Sequence, residues 1–316
     1  MKKVLITVLT VAMAFLMSVS AFAAFSDMPQ GVDGEVLQKA VDNGLIAGFE
    51  DGTVQPATKI TRAQMATIMS RAMRAQEKAD ITAFTDVKEG EWYYDAMAQA
   101  VSMGAFKGDD QSRLNPNNTI TRQEAFIVLS RIFDLPEQNS SVLDKYADAS
   151  SVASWAKKEV SAVVGGGYAD SDASLRPLDA MTRLEFAKVM DKLVTLYIDK
   201  EGEYTSLPDG NVLVRAEGVN FKGITSSKAI FIGDGVKGNT EFTDCVMERI
   251  IIRGGRGVLN SGTYTNVRAI GNGTQMELKQ TPSKLVKIYE DGTTGKFFAQ
   301  SGKGVIILPQ IEVEIQ

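Results

Sequence analysis

The chain of 316 residues has no histidine and a single cysteine, Cys245. The lack of histidine excludes Ser-His-Asp and Cys-His catalysis and the common histidine-bearing zinc sites. A lone cysteine excludes an internal disulfide framework, so stability has to come from burial. Runs of basic residues are missing too, and the net charge is −5. An acidic chain without basic runs argues against a nucleic-acid partner. Beyond the first 23 residues no stretch is long and apolar enough to cross a bilayer. Carboxylate chemistry is the enzymatic route that these absences leave open.

The N-terminus reads as an export signal. Lys2-Lys3 is the charged start, Val4 to Val19 is mostly apolar, and Ala21-Phe22-Ala23 is a small-x-small cleavage site. The apolar core is short for a membrane anchor, so the expectation is a signal peptide at 1–23 and a secreted mature chain without a membrane span.

A pattern of the form F-x-D, G-x₃-G, P-x₃-[IM]-T-R then occurs three times, the third copy with Tyr for Phe and only one of the two glycines. The copies start at Phe25-Ser26-Asp27, Phe84-Thr85-Asp86 and Tyr146-Ala147-Asp148, and end on Thr61-Arg62, Thr121-Arg122 and Thr182-Arg183. A repeat of about 60 residues predicts an array of like units. In the second copy Tyr93, Met97, Ala100 and Val101 recur at helical spacing ahead of Gly104. A turn-rich loop follows to Pro116. Thr121 with Glu124 then predicts a capping box, as do Thr61 with Gln64 and Thr182 with Glu185. Each unit is a helix–loop–helix that cannot bury its apolar face alone.

After about Asp199 the helical period disappears. Val212-Leu213-Val214, Ala229-Ile230-Phe231-Ile232, Ile250-Ile251-Ile252 and Thr263-Tyr264-Thr265 are short β-rich runs between glycines. Three of them recur about 18–20 residues apart, which suggests coils of a small parallel β-helix, with a β-sandwich as the alternative. The expected division is repeats at 24–80, 81–140 and 141–198, then a separate all-β domain at 205–316.

The repeat resembles the S-layer homology domain. The matching residues include Gly44 to Gly52, Pro56 and Thr61-Arg62-Ala63-Gln64 in copy one. Copy two supplies Trp92, Gly104, Gly108, Pro116 and Thr121-Arg122-Gln123-Glu124. Copy three supplies Trp155, Pro177 and Thr182-Arg183-Leu184-Glu185. The resemblance covers roughly residues 25–195. It implies a pseudo-threefold α-helical bundle on the bacterial cell wall or cell surface, whose grooves hold a secondary cell-wall polysaccharide, often pyruvylated. It carries the main ligand contact to Arg62, Arg122 and Arg183. Guanidinium suits a pyruvate carboxylate, because its planar fork makes two parallel hydrogen bonds where lysine cannot.

Other ligand-binding candidates are Asp27, Asp86, Asp148, Trp92, Trp155, Gly48 and Gly108. The aspartates either accept sugar hydroxyls or orient the arginine, or cap the first helix of each unit. The tryptophans are read as partly buried core ahead of sugar platforms. The arginines, at the first helical position, oppose the helix dipole, which favours function over structure. They are expected to be exposed. Copy three has a loop two residues shorter between Gly167 and Pro177 and lacks the second glycine, so its own arginine, Arg183, is expected to contribute least.

Two motifs fail as sites. Asp170-Ser171-Asp172 opens like a calcium loop, but Leu175 and Met181 stand where glycine and glutamate are needed. Gly165-Gly166-Gly167 has no following Gly-Lys-Ser/Thr and ends a helix. No cofactor and no catalytic residue are expected. The leading expectation is a non-catalytic, wall-anchored protein whose β domain projects outward, with self-association or other envelope partners open to it. The alternatives are a polysaccharide-degrading enzyme using Asp234, Glu241, Asp244 or Glu248, and an S-layer lattice subunit.

Overall fold

The computed structural model describes residues 25–170, 172–271, 274–278, 284–290 and 296–299, with backbone alone for 278, 284–290 and 296–299. The predicted signal at 1–23 lies outside the described residues. Among those described, no helix is long and apolar enough to cross a membrane.

Each repeat contributes two α-helices: α1 (Val32–Asp42) and α2 (Arg62–Ala72), α3 (Tyr94–Ser102) and α4 (Arg122–Ile132), α5 (Lys157–Gly165) and α6 (Arg183–Leu193). The first helix of each pair stops at a glycine with positive φ, Gly44, Gly104 or Gly167. The residue after that glycine bonds back to the last turn: Leu45 to Ala40, Ala105 to Ala100 and Tyr168 to Val163. Only glycine takes this left-handed turn without strain. The second helices start on the three predicted capping boxes, all of them formed.

The three units close into a ring. Ile60 N–H donates to Met181 O, Met181 N–H to Ile120 O, and Ile120 N–H to Ile60 O, each at 2.9 Å. These residues precede the three capping threonines, and all three are buried. Around this axis α2 packs on α3, α4 on α5 and α6 on α1. Each second helix therefore buries its apolar face on the next repeat, and the last returns to the first.

The C-terminal region is a two-sheeted parallel β-solenoid, which excludes the sandwich. One sheet runs β1 (Leu196–Ile198), β3 (Val212–Val214), β5 (Thr225–Ile232), β7 (Cys245–Ile252), β9 (Gly262–Ala269), β11 (Lys284–Glu290). The other runs β2 (Gly202–Tyr204), β4 (Val219–Lys222), β6 (Asn239–Thr243), β8 (Arg256–Leu259), β10 (Gln275–Leu278), β12 (Lys296–Ala299). The first coil starts at Leu196, ahead of the expected boundary at 205. Ile198, Val214, Ile232, Ile252 and Ala269 are in register inside the solenoid. Tyr204, Phe221 and Phe242 form a second internal ladder.

The solenoid does not stand apart from the helices. Leu213, Phe231 and Ile251 point out of it and join the helical core. Phe231 meets Phe133 edge-on at 4.9 Å between ring centres. Polar contacts then reach the helix C-termini, where carbonyls lack intrahelical partners. Arg215 bonds Asn43 O at 2.8 Å after α1, and Arg253 bonds Met103 O at 2.9 Å after α3. Gly235 N–H bonds Met73 O after α2, Arg253 also bonds Ile132 O in α4, and Asn211 bonds Leu193 O in α6. Guanidinium is favoured there by the negative end of the helix dipole. The expected outward-projecting β domain is thus corrected: sheet one is the base on which the bundle sits.

We predict that Phe231→Ala costs about 3–5 kcal/mol, the usual cost of removing a buried phenylalanine. Both tryptophans, Trp92 and Trp155, lie in the helical region. Their fluorescence should therefore report the loss although the mutation is in the solenoid, coincident with far-UV circular dichroism in a denaturant titration. A fluorescence transition left where it was would contradict the shared core.

Candidate ligand-binding grooves

The ring geometry decides what each arginine faces. Arg62 Nε donates to Leu114 O at 2.8 Å, Arg122 Nε to Leu175 O at 2.9 Å and Arg183 Nε to Val54 O at 2.7 Å. Every arginine thus reaches into the loop of the following repeat, and Arg183 closes the circle on the first. Each candidate groove is an inter-repeat feature. The pairing could not be read from one repeat, since it depends on the order around the axis.

The loops are held from below by the three aspartates. Asp27 accepts from the amides of Val54 and Gln55, Asp86 from Leu114 and Asn115, and Asp148 from Leu175 and Arg176, at 2.7–2.9 Å. The second residue of each pair, Gln55, Asn115 or Arg176, has φ near +50°. A side chain there is strained, and two charged hydrogen bonds hold it in place. The aspartates therefore neither cap the first helices nor present free oxygens. They fix the loop carbonyl that receives the arginine. Burial opposes ionisation of Asp148, but the amides of Leu175 and Arg176 outweigh it and hold the carboxyl below its ordinary value of 3.8.

The glutamates of two capping boxes complete the pairing. Glu124 uses one oxygen for Thr121 and the other for Arg62 Nη1 at 3.1 Å. Glu185 does the same with Thr182 and with Arg122 Nη1, at 3.2 Å, and also pairs with Arg176. Arg62 stacks on Phe106 and Arg183 on Phe49, each 4.9 Å from the ring centre. Neither phenylalanine was singled out in the sequence, since the two occupy different positions in their loops. Burial lowers the proton affinity of both Arg62 and Arg183; Glu124 opposes this at Arg62 and Asp27 at Arg183.

The arginines are not the exposed surface groups that first-turn position suggested. Arg122 is 1 % exposed and Arg183 9 %. The tryptophans are reversed as well: Trp92 is 64 % and Trp155 60 % exposed, so they are not core. Gly48 and Gly108 lie against aromatic rings. A Cβ on Gly48 would sit 2.0 Å from Phe25, and one on Gly108 2.2 Å from Phe84. The F-x-D phenylalanine and the loop glycine therefore pack together.

The grooves differ. A cavity of about 680 Å³ opens between repeats 1 and 2, lined by Arg62, Lys107, Asp109, Asn118 and Glu124, with Trp155 of repeat 3 at its wall. In the order of the repeats, Trp92 is the counterpart of Trp155 for Arg183, and Val32 for Arg122. The shortened loop of repeat 3 also faces Arg122, not Arg183. The groove expected to be poorest therefore belongs to the other arginine. Among the described residues no three His, Cys, Asp or Glu side chains cluster as metal ligands. The four acids considered for hydrolysis are spread over both sheets and the turns. Asp234 pairs with Arg253, Glu241 accepts from Asn260, Asp244 accepts from Ser261, and Glu248 is exposed.

Known proteins share the repeat region. Residues 24–66 and 83–126 match the S-layer homology domain. The surface-layer 125 kDa protein of Lysinibacillus sphaericus is 36% identical over 169 residues, 52% of this chain and 14% of that protein. The surface layer protein of Brevibacillus choshinensis is 30% identical over 139 residues, 42% of this chain and 12% of that protein. Exoglucanase XynX of Acetivibrio thermocellus is 26% identical over 172 residues, 52% of this chain and 16% of that protein. The chain thus matches less than a fifth of the length of each of these relatives.

Two outcomes follow for stability. Asp148→Asn keeps one acceptor and loses one charged bond, which should cost about 1–2 kcal/mol near pH 7. A depressed carboxyl stabilises the fold above its unfolded value, and that stability is lost as pH falls through the folded value. The gap between wild type and Asp148→Asn in chemical denaturation should therefore shrink as pH drops below about 4. Arg122→Ala should cost about 3 kcal/mol by leaving Glu185 and Leu175 O short of a buried partner. A cost below about 0.5 kcal/mol would restore the exposed-surface reading.

Proposed function

We propose that this chain, whose residues 24–66 and 83–126 match the S-layer homology domain, is a non-catalytic cell-surface protein. It is held non-covalently on a secondary cell-wall polysaccharide by the grooves between its repeats. The observation that carries this is the open groove at Arg62, where a guanidinium, a lysine, amide and carboxylate side chains and an exposed indole line one cavity. That mixture suits a sugar. The indole offers an apolar face for a ring, and the polar groups offer partners for hydroxyls. Surface-layer proteins and an exoglucanase share a stretch that covers only a small part of each. A segment common to structural and enzymatic proteins is expected to serve location.

In this reading Arg62 and Arg183 are the ligand arginines, Trp155 and Trp92 the sugar platforms, and Arg122 mainly a packing residue. The aspartates and Gly48 and Gly108 act by holding the loops. A pyruvylated terminal sugar is the preferred ligand, because its carboxylate can take a charged hydrogen bond from a guanidinium nitrogen that the fold leaves open. A charged hydrogen bond contributes about 1.5–3 kcal/mol, so anchoring requires more than one groove.

The test is sedimentation of the full chain with purified cell walls, before and after the wall polymer is chemically stripped. Arg62→Lys combined with Trp155→Ala should weaken binding about tenfold or more while circular dichroism stays that of the wild type. Binding to stripped walls, or undiminished binding by this variant, would overturn the proposal.

A further inference from the structure

The three grooves carry different charge, and one capping residue sets the difference. In repeats 2 and 3 the box residue is a glutamate with two equivalent oxygens. One oxygen accepts from the capping threonine, and the other neutralises Arg62 or Arg122 at Nη1. The corresponding residue for Arg183 is Gln64 of repeat 1. Its Oε1 is committed to the Thr61 amide at 2.9 Å, as the capping box requires. The other end of that side chain is then an NH₂ group. By the same order around the axis, the position that holds an acceptor for the other two arginines here holds a second donor.

Arg183 is 91 % buried, yet among the described residues no carboxylate lies within ion-pair distance of it. Its Nε and Nη2 donate to Val54 O and Ala47 O, and Nη1 has no hydrogen bond there. Asp27, whose charge acts on it, is already held by two amides. A buried guanidinium without a counter-charge is costly, and a bound anion removes that cost.

We propose that the Arg183 groove is the acid-selective site of this protein. Arg183 Nη1 and the Gln64 amide together take one carboxylate of a sugar ligand, whereas the Arg62 groove, neutralised by Glu124, takes sugar without preference for charge. Gln64 is then the residue that determines specificity. This deepens the anchoring proposal and rests on it.

The experiment uses the full chain, ¹⁵N-labelled, titrated with the methyl glycoside of pyruvylated N-acetylmannosamine and, separately, with its neutral methyl ester. In wild type the acid, more than the ester, should shift the Gln64 side-chain amide and the Arg183 Nε–H resonances. Gln64→Glu preserves the capping box and installs the missing carboxylate. It should weaken acid binding at this groove about ten- to a hundredfold, as loss of a charged hydrogen bond predicts, and weaken the ester far less, so that the preference for the acid is lost. The reverse change, Glu124→Gln, should give the Arg62 groove a preference for the acid. Equal binding of acid and ester by wild type, or acid binding untouched by Gln64→Glu while the walls are still bound, would overturn the Gln64 assignment alone. If wild type binds neither the probes nor the walls, the anchoring proposal fails, and this one with it.

Discussion

The three backbone bonds among Ile60, Met181 and Ile120 decide most of what this molecule does. They join the residues just ahead of the three capping threonines. The N-termini of α2, α4 and α6 therefore meet at one axis, and each arginine points across the junction into the next loop. Without that closure a repeat has a helix with one apolar face uncovered and an arginine with nothing to meet. The ring supplies both partners at once. This explains why the recurring spacing inside a repeat is not enough to describe the site: a groove belongs to two repeats, and at Arg62 a third stands at its rim.

Closure also gives the arginines two tasks. Their Nε–H groups tie down loop carbonyls, and their outer nitrogens meet a glutamate at Arg62 and Arg122 and Ala47 O at Arg183. A positive charge at a helix N-terminus is unfavourable on its own. Here the loop carbonyls of the next repeat, and Glu124 or Glu185, offset it. The mismatch visible in the sequence thus has a structural answer as well as a functional one. How far each arginine serves binding depends on how much of that answer the fold already supplies. Arg122, almost wholly covered and paired, has the least left over.

Much of this was legible locally. The capping boxes at Thr61, Thr121 and Thr182, the helix-ending glycines and the coil spacing of the β-rich runs are short-range signals, and the fold contains each of them. What was not legible is long-range. The aspartates looked like caps or ligands because their real partners, the amides of Val54, Leu114 and Leu175 and the residues that follow them, lie more than twenty positions away. Trp92 and Trp155 looked like core because large aromatics usually are. The second solenoid sheet was missed for a physical reason. Val212-Leu213-Val214 and Ile250-Ile251-Ile252 are apolar on both faces because one face fills the solenoid and the other meets the helices. Strands such as Val219–Lys222 have one face toward solvent, so they alternate and give a weaker apolar signal.

The same two-sided burial fixes the polarity of the molecule. The grooves sit at the N-terminal ends of α2, α4 and α6, and the solenoid covers their C-terminal ends. Helices of eleven residues separate the two by about 16 Å. Arg215 and Arg253 are placed where the helix dipoles are negative, and Arg62, Arg122 and Arg183 where they are positive. The first set is therefore stabilised by the helices it touches and is spent on holding the base. The second set is disfavoured by its helices, which Glu124 and Glu185 offset at Arg62 and Arg122. The bundle thus has one end whose helix carbonyls the solenoid satisfies, and another whose arginines are offset unevenly by the neighbouring repeats.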